Sequence, residues 1–217
     1  MITAMLVLCG VLGAAGVFFG ARKIPGVEYV KALYPLSLLF FTLWALTHGR
    51  HSLLAAGILL GLVFCVPGDF ILGKRDNSRL FIFGLAGFLL AYLCYGVTFL
   101  GHGVLGSASI GVAALLILAS GLQYTTFRSL PRAMREPVLV YIVVVSLMLF
   151  GAASFVLAPD PTVPRKMLLL GGAFLIYTSD SLIAHNLFRV SIPHSDLFIL
   201  PPYYAGQLLI VLQLFLD

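Results

Sequence analysis

The sequence predicts an all-α polytopic membrane protein: one bundle of eight transmembrane helices, with seven as the competing count. Three observations predict it. Of the 217 residues, 61% are hydrophobic and only 10% are charged, where a soluble domain carries roughly 25% charged residues. The mean hydropathy is +1.08. The apolar residues fall in long runs separated by short, charge-bearing loops. At about 20 residues per span, the length accommodates seven or eight helices and no separate soluble domain. Residues 1–217 are therefore expected to form a single transmembrane helical domain.

Helix 1 is expected from Ile2 to Phe19. Its Gly10, Gly13, Gly16 and Gly20 suit close helix packing. It lacks the basic n-region of a cleaved signal peptide and reads as a retained helix. Arg22, Lys23 and Lys31 then form a basic loop. Helix 2 is expected from Leu33 to Thr47, with Pro35 in its first turn, where a missing N–H is tolerated. Helix 3, Leu53 to Leu72, carries the GxxxG pair Gly57 and Gly61 and is expected to bend or loosen at Pro67-Gly68, just before Asp69. Lys74, Arg75 and Arg79 follow it. Helix 4, Leu80 to Leu100, repeats Phe88, Tyr92, Tyr95 and Phe99 along one face. Helix 5, Ser109 to Leu122, leads into Gln123 and Tyr124, then a loop with Arg128, Arg132 and Arg135. Helix 6, Val138 to Val156, has Tyr141 in its first turn, and APDPTVPRK makes a proline-rich turn after it. Helix 7 runs from Met167 to Phe188. Helix 8 is expected from Tyr203 to Leu216, opened by Pro201-Pro202.

The net charge of +5 sits on the loops, where it sets topology and implies no nucleic-acid partner. Loops 1, 3, 5 and 7 hold ten of the 13 lysines and arginines, and loops 2, 4 and 6 hold three. The positive-inside rule then makes the odd loops cytoplasmic and puts both termini on the other side, in a bacterial inner membrane or a eukaryotic endomembrane. Cys9, Cys65 and Cys94 all lie in apolar runs and suggest neither a disulfide framework nor a metal site.

Asp69 and Asp180 are the only acids expected inside spans. A carboxylate at membrane depth costs about 2.5–3.5 kcal/mol on insertion scales, so it marks a functional site wherever a partner can be found. With the orientation above, Asp69, Tyr141, Asp180, Tyr203, Tyr204 and Gln207 all fall in the cytoplasmic half of the membrane and Tyr92 near its midplane, at a depth that suits the lining of one cavity. On helix 7, Tyr177, Thr178, Asp180, Ser181 and His185 share one broad arc, with Ser179 and Asn186 opposite. The functional reading is a pair of carboxylates in acid/base roles, one holding a proton to deliver. The alternatives are structural. Asp69 could be a helix-end acid satisfied by Lys74 and Arg75, and Tyr203 and Tyr204 interfacial belt residues. A metal held by His185 and Asp180, or a serine nucleophile at Ser179 or Ser181, lacks the remaining members of its constellation. Arg128, Arg132 and Arg135 could meet a lipid phosphate, though topology explains them.

Four stretches together resemble the lysoplasmalogenase, or YhhN-like, family: Gly68-Asp69; Gly84, Phe88, Tyr92 and Tyr95; GAFLIYTSDSLIA at Gly172 to Ala184; and YYxxQ at Tyr203, Tyr204 and Gln207. The similarity runs through almost the whole chain in order. Two positions depart from the family pattern: Tyr34-Pro35 stands for Lys-Pro, and Tyr92 for a frequent histidine. The resemblance implies an eight-helix membrane enzyme that hydrolyses the vinyl-ether bond of lysoplasmalogens to a fatty aldehyde and a glycerophospho-base, with no metal or organic cofactor. Its partners would be a lysophospholipid substrate and the bilayer. Asp69 and Asp180 are then the catalytic candidates. Tyr92, Tyr95, Tyr141, Tyr177, Ser179, Ser181, Tyr203, Tyr204 and Gln207 are the substrate-binding candidates. The competing class is a small proton- or cation-coupled transporter or lipid-binding protein, and a third is a hydrolase of lipid amides or esters. The residues alone leave open which aspartate is the acid.

Overall fold

The structure is a computed structural model and describes residues 1–74, 78–127 and 132–216. Arg75, Asp76, Arg128 and Asp217 lie outside the described residues. Among the described residues there are eight α-helices and no strand: α1 (Ile2–Ala21), α2 (Val27–Thr47), α3 (Ser52–Gly73), α4 (Ser78–His102), α5 (Ser107–Thr126), α6 (Arg132–Val156), α7 (Val163–Phe188) and α8 (Asp196–Leu212), the last continued by a 3-10 turn, Gln213–Phe215. Each is long and apolar enough to cross a bilayer. In hydrocarbon every backbone N–H and C=O must be satisfied within its own segment, which is why these runs form helices.

Seven helices close a circuit: α1 packs on α2, α2 on α3, α3 on α4, α4 on α6, α6 on α7, α7 on α8, and α8 back on α1. α5 stands outside it, resting on α6. Glycines set the tightest crossings. A Cβ at Gly172 would meet the carbonyl oxygen of Gly206 at 2.7 Å, and one at Gly206 would meet that of Gly172 at the same distance. The predicted GxxxG pair of α3 does pack closely, Gly57 against Thr98 and Gly61 against the Tyr95 ring. The predicted aromatic face of α4 (Phe88, Tyr92, Tyr95 and Phe99) is buried in the core.

The expected helix ends need correction at the prolines. α2 begins at Val27, so Pro35 lies in its interior and Lys31 is helical and buried. α8 begins at Asp196, so Pro201 and Pro202 are interior rather than opening residues. α6 begins at Arg132, so Tyr141 is well past its first turn. Pro67-Gly68 does not interrupt α3; the bare Gly68 receives the Phe88 ring, 3.1 Å from where a Cβ would stand. Membrane helices tolerate interior proline because neighbouring groups re-satisfy the freed backbone. The Ser179 hydroxyl of α7 donates to the Ile199 carbonyl of α8, 2.8 Å away, and ties the two helices together.

Candidate functional site

The circuit turns polar side chains from five helices inward. α3 supplies Asp69, α4 Tyr92 and Tyr95, α6 Tyr141, α7 Asp180, and α8 Tyr203 and Gln207. Both aspartates are buried, each 5% exposed. The Tyr203 hydroxyl donates to Asp69 Oδ2 at 2.6 Å. The Tyr92 hydroxyl donates to Asp180 Oδ1 at 3.4 Å. Tyr141 stands beside Asp180 as well and packs edge-on against the Tyr92 ring, centroids 6.0 Å apart. Phe88 joins the two halves, with its ring 5.7 Å from that of Tyr203 and 5.9 Å from that of Tyr92. The aspartates thus sit on one continuous aromatic cluster.

One oxygen in this cluster is unused. Among the described residues, Asp180 Oδ2 is buried with no hydrogen-bond partner. Buried polar atoms are nearly always paired, so an orphan oxygen is either costly or kept for a ligand or a proton. Deeper along α8, the Tyr95 hydroxyl donates to Gln207 Oε1 at 2.9 Å, and the Gln207 amide donates to Cys65 Sγ at 3.3 Å. This chain of contacts holds α3, α4 and α8 in register around the acids.

Other expected site residues are placed elsewhere. Ser179 is spent on the Ile199 carbonyl and ties α7 to α8. Tyr177 and Ser181 turn toward α5, where the Gln123 amide reaches both, at 3.0 and 2.9 Å. Thr178 bonds back to the Phe174 carbonyl at 2.9 Å. His185 is exposed, and Asn186 Oδ1 accepts the Ile192 backbone N–H at 2.7 Å. The single polar face expected on helix 7 is therefore divided among three neighbours. Lys74 lies over the Phe70 ring at 4.5 Å, so it is not the counter-ion of Asp69. Among the described residues, no group of three or more His, Cys, Asp or Glu could hold a metal ion.

Two groups escaped the sequence reading. Lys31 and Asp196, both assigned to loops, form a buried ion pair at 3.4 Å. Tyr34 packs its ring on Tyr204, centroids 4.2 Å apart, and donates its hydroxyl to the Tyr204 carbonyl. The Tyr204 hydroxyl is itself buried and, among the described residues, unpartnered. A lone lysine close to an apolar run was the available signal for the ion pair; the expected helix starts at Leu33 and Tyr203 concealed it.

The YhhN family model matches residues 29–214. A lysoplasmalogenase TMEM86A from Bos taurus is 32% identical over 196 residues, covering 86% of this chain and 78% of the relative. The Homo sapiens lysoplasmalogenase TMEM86A is 31% identical over 183 residues, 80% and 73% of the two chains. A Mus musculus lysoplasmalogenase TMEM86B is 30% identical over 198 residues, 86% and 76%. No solved structure matches at a significant level.

Proposed function

This chain belongs to the YhhN family, and on that premise we propose that it hydrolyses the vinyl-ether bond of lysoplasmalogens, releasing a fatty aldehyde and a glycerophospho-base. The names of its relatives support the reaction class. The observation that carries the mechanism is the pair of buried aspartates on one aromatic cluster, with Asp180 Oδ2 unpartnered and Asp69 Oδ2 held by Tyr203.

Vinyl-ether hydrolysis begins with proton transfer to the outer alkene carbon. In this reading the proton comes from Asp180 Oδ2, and the electron pair of the double bond forms the new C–H bond. Positive charge then spreads over C1 and the ether oxygen as an oxocarbenium ion. The buried carboxylates stabilise that cation, as paired acids do in glycosidases. Water adds to C1 and gives a proton back to the Asp180 carboxylate. The hemiacetal then collapses: its O–H proton is transferred to the departing glycerol oxygen as the C1–O bond to glycerol breaks, and C1 becomes the aldehyde carbonyl. Tyr92 and Tyr141 orient Asp180, and Tyr203 fixes Asp69.

The test is mass spectrometry of aldehyde release from vinyl-ether lysolipids, with saturated-ether lysolipids as control. Asp180→Asn and Asp69→Asn are each expected to lower the rate by about 10²–10⁴-fold, the usual contribution of a positioned acid or base, while remaining monodisperse in detergent. A fully active double variant would end the two-carboxylate proposal. Ion flux in proteoliposomes without aldehyde release would favour a transporter instead.

A further inference from the structure

An apolar groove lies between α1 and α8, away from the aspartates, with a volume of about 550 Å³. That is within the range of roughly 300–1,000 Å³ typical of small-molecule sites. Its walls are apolar: Gly10, Gly13 and Ala14 leave α1 nearly bare, and Leu197, Pro201 and Leu208 line α8. From Cys9 to Phe18 the lining covers about 14 Å of helix, close to one leaflet of hydrocarbon.

The mouth of the groove carries charge. At its mouth, the Arg22 guanidinium lies over the ring of Phe18, a lining residue, at 4.5 Å. Arg22 is exposed, and among the described residues no carboxylate pairs with it. The neighbouring Lys23 is exposed too. In the wall, Tyr204 presents its ring, while its hydroxyl is packed on the bare Gly16 of α1, out of the groove. Behind Tyr204, 5.5 Å between ring centroids, stands Tyr203, which holds Asp69.

A cation at the mouth and a bare apolar trough beneath it match one kind of occupant. We propose that this groove binds a single-chain phospholipid, with its phosphate at Arg22 and its hydrocarbon chain laid along Gly13 and Gly10. This rests on the lysoplasmalogenase reading for its choice of lipid. It adds a substrate-holding site one aromatic layer from Asp69 and makes α1, which bears neither aspartate, the determinant of chain length.

The experiment is photolabelling in nanodiscs with a saturated alkyl-ether lysophosphatidylcholine bearing a diazirine in its chain. That probe has no vinyl ether, so the result is independent of hydrolysis. Labels are expected on residues 10–17 and 205–208, displaced by unlabelled ether lysolipid but not by diacyl phosphatidylcholine. Gly10→Leu fills the trough at a position where an added Cβ meets nothing within 4 Å, so folding is spared. It should lower labelling about tenfold, the effect of excluding roughly two methylenes. It should also raise KM for long-chain but not short-chain substrate. Arg22→Gln should weaken labelling and reduce its salt dependence. Labels scattered over other helices, equal displacement by diacyl lipid, or an unchanged Gly10→Leu would overturn the groove assignment. If that happens while aldehyde is still released, the activity stands and only the groove falls.

Discussion

At the residue scale, the buried charges have neighbours: Tyr203 for Asp69, Tyr92 for Asp180, and Lys31 and Asp196 for each other. Asp69 and Asp180 were legible in the sequence because a charge in an apolar run is conspicuous. Their tyrosine partners were legible only as residues of similar depth; nothing in one dimension shows that Tyr203 faces Asp69 or that Tyr92 faces Asp180. Lys31 and Asp196 were illegible for a more specific reason. Pro35 and Pro201-Pro202 read as helix starts, which left both charges outside the membrane. They are instead buried together at 3.4 Å. Removing one partner of a buried pair costs about 3–5 kcal/mol, because the other charge is left without compensation. Lys31→Met is therefore expected to lower thermal stability in detergent markedly. Lys31→Met combined with Asp196→Leu should recover most of that loss, as read by a melting curve. If the single variant melts with the wild type, the pair contributes no stability.

At the element scale, α5 differs from every other helix. Only 6% of its span is buried, against 56% for α8. Leu115, Ile117, Leu118 and Leu122 are each 70% or more exposed. Its polar anchors are few: the Ser120 and Ser146 hydroxyls meet at 2.9 Å, and Gln123 reaches Tyr177 and Ser181. Composition predicted α5 as a span without showing that it would stand outside the circuit, because an apolar helix looks the same facing lipid or protein. Ser120→Cys with Ser146→Cys should form a disulfide under mild oxidation, seen as a gel shift after proteolysis between the helices. Adding Gln123→Ala should reduce the yield, since an interhelical polar contact in a membrane is worth about 0.6–1.7 kcal/mol. An unchanged yield would mean that α5 is held by packing alone.

At the scale of the whole molecule, the fold class and helix count followed from composition, and the closing of α8 onto α1 did not. Corrected helix ends move Lys31, Arg132 and Arg165 from loops into helix termini but leave each at the same end of the bundle. The asymmetry in positive charge is thus unchanged, and we expect the ends bearing Arg22, Lys74 and Arg189 to face the cytoplasm. Single cysteines at positions 23 and 49 should label from opposite sides of sealed vesicles; labelling of both from one side would overturn this orientation. The pairing of Lys31 with Asp196 has a consequence in time. The two residues are 165 positions apart, and α8 also supplies the tyrosine that holds Asp69 and the glycine that seats α7. During synthesis, the lysine of α2 and the aspartates of α3 and α7 enter the translocation machinery before α8 has been made. Asp180 meets Tyr92 of an earlier helix, but Lys31 and Asp69 wait for Asp196 and Tyr203 until the last helix arrives, so α8 acts as the clasp that separates a finished protein from a substrate for membrane quality control.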